Sequence, residues 1–126
     1  MMDARSEKAL LGVHADLVRV VRRAYANSKP ELSFIVTEGL RTQARQQQLF
    51  NSGASRTLNS RHLTGHAVDL MATVNGKGRW DWPLYYRLAQ LMKDASFIEV
   101  VPLDWGGDWK SFKDGPHFEL RRSAYK

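Results

Sequence analysis

The sequence is most informative over residues 60–69, which read Ser-Arg-His-Leu-Thr-Gly-His-Ala-Val-Asp. The first half of this stretch ends a segment rich in Gly, Ser, Thr and Asn, which predicts a loop, whereas Ala67 to Met71 is predicted to be a buried strand. His62 therefore lies on the loop and Asp69 on the strand, with a turn of the chain at Gly65 between them. We expect the two side chains to converge on one point.

A second stretch, Asp-Gly-Pro-His-Phe-Glu-Leu at residues 114–120, has a histidine at the start of a predicted strand and an aspartate in the tight turn before it. His117, His62 and Asp69 would give two imidazoles and one carboxylate. That set suits catalytic zinc, in which three protein ligands leave the fourth position for water. The chain has no cysteine, which excludes thiolate metal sites, disulfides and cysteine nucleophiles.

The spacing of apolar residues predicts helices around short strands. Leu10, Val13, Leu17, Val20, Val21 and Ala24 recur at three- and four-residue steps, which predicts one amphipathic helix with Ser6 as its N-cap and residues 27–30 as its stop. Further predicted elements are a strand over 33–38, a helix over 42–52 stopped by Gly53, a loop over 53–65, a turn over 75–78, a helix capped by Asp81, and strands over 97–103 and 117–121. This order indicates an α+β domain with a small antiparallel sheet and flanking helices.

Composition indicates one globular domain over residues 1–126, with no room for a second module. Hydrophobic residues make up 43% of the chain, enough for a core. No apolar run is long enough to span a membrane, so stable membrane insertion is not expected. The N-terminus lacks the apolar stretch of a signal peptide, which predicts a protein held in the cytoplasm. The net charge of +6 favours polyanionic partners, or it merely keeps the protein soluble.

Residues 60–69 fit the pattern S-x-H-x-x-G-x-A-x-D, and the chain thereby resembles the zinc peptidase family of D-alanyl-D-alanine carboxypeptidases and L-alanyl-D-glutamate peptidases. Residues 114–117 resemble that family's second motif, an acidic residue three positions before a zinc-binding histidine. Residues 37–42, with Gln46 and Leu49, resemble its upstream arginine motif. The run Trp-Gly-Gly-Asp-Trp at 105–109, with Phe112 and residues 11–18, is similar to the phage endolysin branch.

The resemblance implies a Hedgehog/DD-peptidase-like fold and one Zn²⁺ per chain, held by His62, Asp69 and His117. It further implies that Asp114 is the catalytic base and that Arg41 donates to the carbonyl oxygen as negative charge develops there. Residues expected to contact the substrate or support the ligands are Gln46, Ser60, His66, Trp105 and Trp109.

Three further histidine and carboxylate positions need an interpretation. His66 is four residues from His62, but the intervening Leu-Thr-Gly lacks the glutamate of an H-E-x-x-H motif, so His66 is interpreted as a cleft-side or supporting residue and not as a ligand. His14 is predicted to lie in a helix, with a structural or surface role. Glu119 is expected to point out of register with His117 along the strand and is therefore not assigned as the base.

The implied reaction is hydrolysis of the L-alanyl-D-glutamate bond in peptidoglycan stem peptides by a phage endolysin. Residues 1–126 would form its single catalytic domain, without a separate cell-wall-binding domain. Such an enzyme would wait in the host cytoplasm as a monomer, be released by a holin-type partner, and act on peptidoglycan in the periplasm. D-alanyl-D-alanine carboxypeptidase activity is the alternative within this class. Outside it, an iron oxygenase with two histidines and one carboxylate is disfavoured, because its ligands have H-x-D spacing and Asp69 lies much further from His62. A basic nucleic-acid-binding module is permitted by the charge, but no signature of one appears, so no nucleic-acid partner is predicted.

Overall fold

The computed structural model describes residues 2–126 as an α+β fold, as predicted. The helices are α1 (Ala4–Ala9), α2 (Ala15–Asn27), α3 (Gln43–Asn51) and α4 (Trp82–Glu99), and short 3-10 turns cover Arg61–Thr64 and Gly106–Asp108. The strands are β1 (Ser33–Glu38), β2 (Ala67–Val74), β3 (Lys77–Arg79), β4 (Leu103–Trp105) and β5 (His117–Leu120).

The strands form one antiparallel sheet in the order β1-β2-β5-β4, and β3 pairs with β2 in a hairpin. Successive side chains of a strand point to opposite faces. On one face Val68, Leu70 and Phe118 enter the hydrophobic core, which α2 and α4 complete with Leu17, Val20, Val21, Leu88, Met92 and Ala95. The other face carries Asp69 and His117, so the alternation of β2 and β5 separates packing from polar chemistry.

The predicted N-terminal helix is two helices, and the prediction of a single one was wrong. Gly12, with φ of +82°, lies in the turn that interrupts the helix between α1 and α2. The apolar spacing hid this break because Leu10 and Val13, on the connecting turn, are buried in the same core as Leu17.

The caps of these helices also differ from the prediction. Asp3 caps α1 by accepting from the Ser6 amide at 2.8 Å, while Ser6 itself is buried inside the helix. The Ser6 hydroxyl instead accepts from the Val36 amide of β1, which ties the helix to the sheet. His14 lies at the N-cap of α2 and not within a helix, and its Nδ1 accepts from the Asp16 amide at 3.0 Å.

The strand predicted over 97–103 was wrong over most of its length, because α4 continues to Glu99 and only Leu103 onward is strand. Isoleucine and valine in this segment mimic a strand locally, yet the helix ends only at Val100, which adopts left-handed φ and ψ of 57° and 49°. Asp81 does precede α4, but its side chain pairs with Arg79 and makes no capping hydrogen bond. The turn predicted over 75–78 is confirmed at Asn75 and Gly76, which have φ of 51° and 82°.

Across residues 2–126, no helix combines the length and the apolar character needed to cross a bilayer.

Candidate active site

A row of three polar residues crosses the outer face of the sheet. Asp69 of β2 pairs with His117 of β5 on one side and with Glu38 of β1 on the other. In β1, Val36 pairs with Leu70 and Glu38 pairs with the adjacent Asp69, so Thr37 between them has no partner and forms a bulge. A bulge of this kind re-aims a side chain, and here it places a second carboxylate beside Asp69.

His62 reaches the same point from the 3-10 turn that precedes β2. Ser60 caps this turn, since its hydroxyl accepts from the His62 amide at 3.2 Å. Gly65 ends it with φ of +75°, and a Cβ there would lie 2.5 Å from the Gly12 carbonyl oxygen. The predicted turn at Gly65 is therefore confirmed, and it needs glycine both for its backbone angles and for the close approach of Gly12.

Three donor atoms of His62, Asp69 and His117 lie within 4.8 Å of one another. Asp69 Oδ1 is 3.2 Å from His62 Nε2 and 3.4 Å from His117 Nδ1. The structure thus brings together the three residues predicted as metal ligands. Two imidazole nitrogens and a carboxylate oxygen fit a catalytic zinc ion.

In both His62 and His117, one ring nitrogen donates a hydrogen bond to the protein, so the other ring nitrogen is the one that would bind a metal. His62 Nδ1 donates to the Gly39 carbonyl at 2.8 Å, leaving Nε2 free to coordinate. His117 Nε2 donates to Glu119 Oε1 at 2.8 Å, leaving Nδ1. Hydrogen bonds of this type hold the tautomer and orientation of metal-binding histidines.

Glu119 is therefore a supporting residue that the sequence interpretation missed. The expectation that it points out of register with His117 was wrong, because residues two apart on a strand share a face. Its side chain is 9% exposed, and Arg122 lies 3.5 Å from its other carboxylate oxygen.

The charges of the cluster shift the ionisation of its members. Burial opposes ionisation of Asp69, but the rings of His117 and His62 outweigh it and hold the pKa of Asp69 well below its usual value. Burial likewise opposes charge on His117, but Asp69 and Glu119 together raise its pKa to about 9. A metal ion at His117 Nδ1 would consequently compete with a proton.

Asp114 lies in the turn before β5 and lines the same cleft. Its amide donates to the Gly106 carbonyl, and its own carbonyl accepts from the His117 amide at 3.2 Å. A Cβ on Gly106 would lie 2.3 Å from the Asp114 carbonyl oxygen, so glycine is required for this approach. Burial and the nearby Asp69 carboxylate raise the pKa of Asp114, a direction that favours a proton-accepting role.

Arg41 is buried at the edge of the cleft and is held on three sides. Its Nε donates to Glu38 at 2.9 Å and one terminal nitrogen donates to Gln46 at 2.8 Å, while the other pairs with Glu38 and lies 3.6 Å from Asp69 Oδ2. Gln46 is fully buried and donates in turn to Ser55 and to the Thr57 carbonyl. Gln46 thus contacts Arg41 and the following loop, and does not line the cleft.

The cleft has a volume of about 340 Å³. Besides the residues above, its lining includes Ser60 and Trp109 among the predicted contacts, and also Arg56 and Phe112. The Trp109 ring centroid is 5.0 Å from that of His117.

The structure does not bring Trp105 or His66 into the lining of this cleft. Trp105 is buried, and its indole nitrogen donates to the Gly115 carbonyl at 2.7 Å, so it supports the turn that carries Asp114. His66 Nδ1 lies 2.6 Å from the Thr64 hydroxyl, and its ring faces that of His14 at 5.5 Å.

Comparisons with known proteins agree with this geometry. The family model described as phage L-alanyl-D-glutamate peptidase matches residues 1–122. The L-alanyl-D-glutamate peptidase of Escherichia phage T5 is 32% identical over 124 residues, covering 95% of this chain and 88% of that protein. That of Listeria phage A118 is 36% identical over 95 residues, covering 75% of this chain, which spans only 32% of that longer protein.

A solved structure has the same fold. The crystal structure of the Serratia marcescens L-Ala D-Glu endopeptidase ChiX superposes with a TM-score of 0.90 at 48% identity, covering 97% of this chain and 90% of that one. The chain belongs to the phage L-alanyl-D-glutamate peptidase family.

Proposed function

We propose that this protein hydrolyses the L-alanyl-D-glutamate bond of peptidoglycan stem peptides as a zinc peptidase. The observation that carries the proposal is the convergence of His62 Nε2, Asp69 Oδ1 and His117 Nδ1 in a cleft that Asp114 and Arg41 also line. The activity named for the T5 and Serratia proteins supports this choice of bond.

His62, Asp69 and His117 would hold the metal, and the donor set favours zinc over harder ions that prefer oxygen ligands alone. Bound zinc would supply Lewis-acid chemistry, polarising a carbonyl group and making a water molecule acidic near neutral pH. The chain's own contribution is to present the two ring nitrogens already oriented, through Gly39 and Glu119.

Asp114 acts as the general base. Its carboxylate accepts a proton from the attacking water, and the carboxylic acid so formed later donates it to the nitrogen of the leaving D-glutamate. The turn held by Gly106 and His117 fixes the position of Asp114, and burial adjusts its basicity upward.

Arg41 stabilises the negative charge that develops on the scissile carbonyl oxygen. Glu38 and Gln46 bind three of its five N–H groups, so the guanidinium does not need to reorganise during the reaction. Ser60 and Trp109 line the cleft and would touch the peptide directly, whereas Gln46 would act through its hydrogen bond with Arg41.

In biological terms we infer a phage endolysin that acts as a monomer on periplasmic peptidoglycan. It would be held in the host cytoplasm until a holin-type partner releases it. The phage origin of the T5 and A118 relatives supports this role, and the net charge of +6 would draw the enzyme to an anionic wall polymer.

The test is digestion of purified peptidoglycan, followed by mass spectrometry of the products. We expect new N-terminal D-glutamate residues and intact glycan strands, with no such product from the Asp114→Asn protein. Release of free D-alanine in place of N-terminal D-glutamate would contradict the proposal and indicate a carboxypeptidase.

A further inference from the structure

Arg56 and Phe112 form a pair at the cleft that the reaction mechanism above does not use. The guanidinium carbon of Arg56 lies 4.6 Å from the centroid of the Phe112 ring, and both side chains line the cleft. Arg56 comes from the loop after α3 and Phe112 from the loop before β5, so the contact joins two separate segments that border the metal ligands.

Phe112 adopts a backbone conformation that bulky residues avoid. Its φ is +51°, in the left-handed region, and its side chain is 42% exposed. Strained positions of this kind concentrate at ligand-binding sites.

Arg56 is also distinguished from the other cleft arginine by its charge environment. Arg41 is paired with Glu38 and lies 3.6 Å from Asp69, so its charge is already compensated. In the part of the chain from residue 2 to residue 126, no carboxylate lies within ion-pair distance of Arg56. Its guanidinium carbon lies over the Phe112 ring, and none of its N–H groups donates a hydrogen bond to residues 2–126, so these groups are available to an anion.

The substrate offers such an anion. Glutamate has two carboxyl groups, and a linear peptide uses at most one of them to continue the chain. The D-glutamate on the leaving side of the scissile bond therefore keeps one free carboxylate close to the reacting atoms.

We propose that Arg56, held on the ring of Phe112, binds the free carboxylate of this D-glutamate and makes the enzyme selective for it. The proposal rests on the L-alanyl-D-glutamate peptidase function. It makes Arg56 and Phe112 specificity-determining residues, with Arg56 in bidentate contact with the carboxylate.

The test compares two synthetic stem peptides that differ only in this group, one with the free carboxylate and one with the corresponding carboxamide. The wild-type enzyme should cleave the carboxylate peptide with a kcat/KM about tenfold or more higher, the scale of one charge-assisted contact. Arg56→Gln should lose that preference mainly through KM on the carboxylate peptide, with unchanged zinc content. Arg56→Lys should keep part of the preference, because lysine retains the positive charge but lacks the paired N–H donors of the guanidinium group.

Arg87→Gln is the matched control, since it removes an exposed arginine on α4 that does not line the cleft. It should leave the preference unchanged while lowering the net charge by the same amount. Equal kcat/KM for the two peptides in the wild type, or a preference that survives in Arg56→Gln, would overturn this inference alone. Failure of the wild-type enzyme to cleave either peptide would overturn the peptidase function and this inference with it.

Discussion

Replacing Glu119 with alanine should weaken zinc binding without removing a ligand. The substitution deletes the acceptor of the 2.8 Å hydrogen bond from His117 Nε2, in a site where both side chains are less than a tenth exposed. A hydrogen bond involving a charged group contributes about 1.5–3 kcal/mol, and each 1.4 kcal/mol corresponds to about a tenfold change in affinity. We therefore expect the zinc affinity to fall by about 10- to 100-fold, as is typical when such partners are lost.

Competition between the protein and a chromogenic chelator at fixed pH measures this affinity directly. Glu119→Gln should lose about tenfold or less, because its amide oxygen still accepts from His117 Nε2 but carries no charge. Arg122→Gln is the control, since it removes only the exposed partner 3.5 Å from Glu119 and should bind zinc normally. If Glu119→Ala bound zinc as tightly as the wild type while folded, the assigned role of this carboxylate would be refuted.

Three further predictions concern the ligands, the base and the turn that holds it. Metal analysis should show no zinc in His62→Ala but full occupancy in His66→Ala, and equal losses in both would contradict the ligand assignment. Asp114→Asn should keep its zinc and lose about 10²–10⁴-fold in turnover of peptidoglycan, so near-normal turnover would move the base to another carboxylate. Gly106→Ala should reduce turnover about tenfold or more, because the new Cβ would lie 2.3 Å from the Asp114 carbonyl. Gly76→Asn is the control that should retain activity, because nothing lies within 4 Å of that position and asparagine tolerates its left-handed backbone.

The parts of the site that could be predicted are those encoded by local spacing. His62 and Asp69 lie on either side of one turn, and Asp114 precedes His117 in another, so a short stretch determines each pair. The α+β class likewise follows from the apolar patterns of individual elements. The position of Glu119 could also have been predicted from the sequence, because the two-residue period of a strand places it on the same face as His117.

Other features depend on contacts between distant segments. Glu38 lies beside Asp69 only because a bulge shifts the register of β1, and no local pattern indicates that bulge. Trp105 and Trp109 were both expected to contact the substrate or support the ligands. Trp109 lines the cleft, but Trp105 is buried against Phe118 and donates to the Gly115 carbonyl, which depends on how the loop packs. The extension of α4 through Glu99 overrides the strand preference of its last residues, because the helix packs against α2.

The arrangement of polar groups explains how a small sheet can carry both a core and a charged site. The apolar residues of β2 and β5 face the helices, so polar side chains on the other face do not interrupt the core. Buried charges are costly unless they are paired and hydrogen-bonded. In this site Arg41 is paired with Glu38, and His117 is paired with Asp69 and Glu119. Gln46 extends this network, since one buried amide binds both Arg41 and the loop at Thr57. Arg41, proposed to stabilise the developing charge, and the loop that carries Arg56 are therefore positioned by the same side chain.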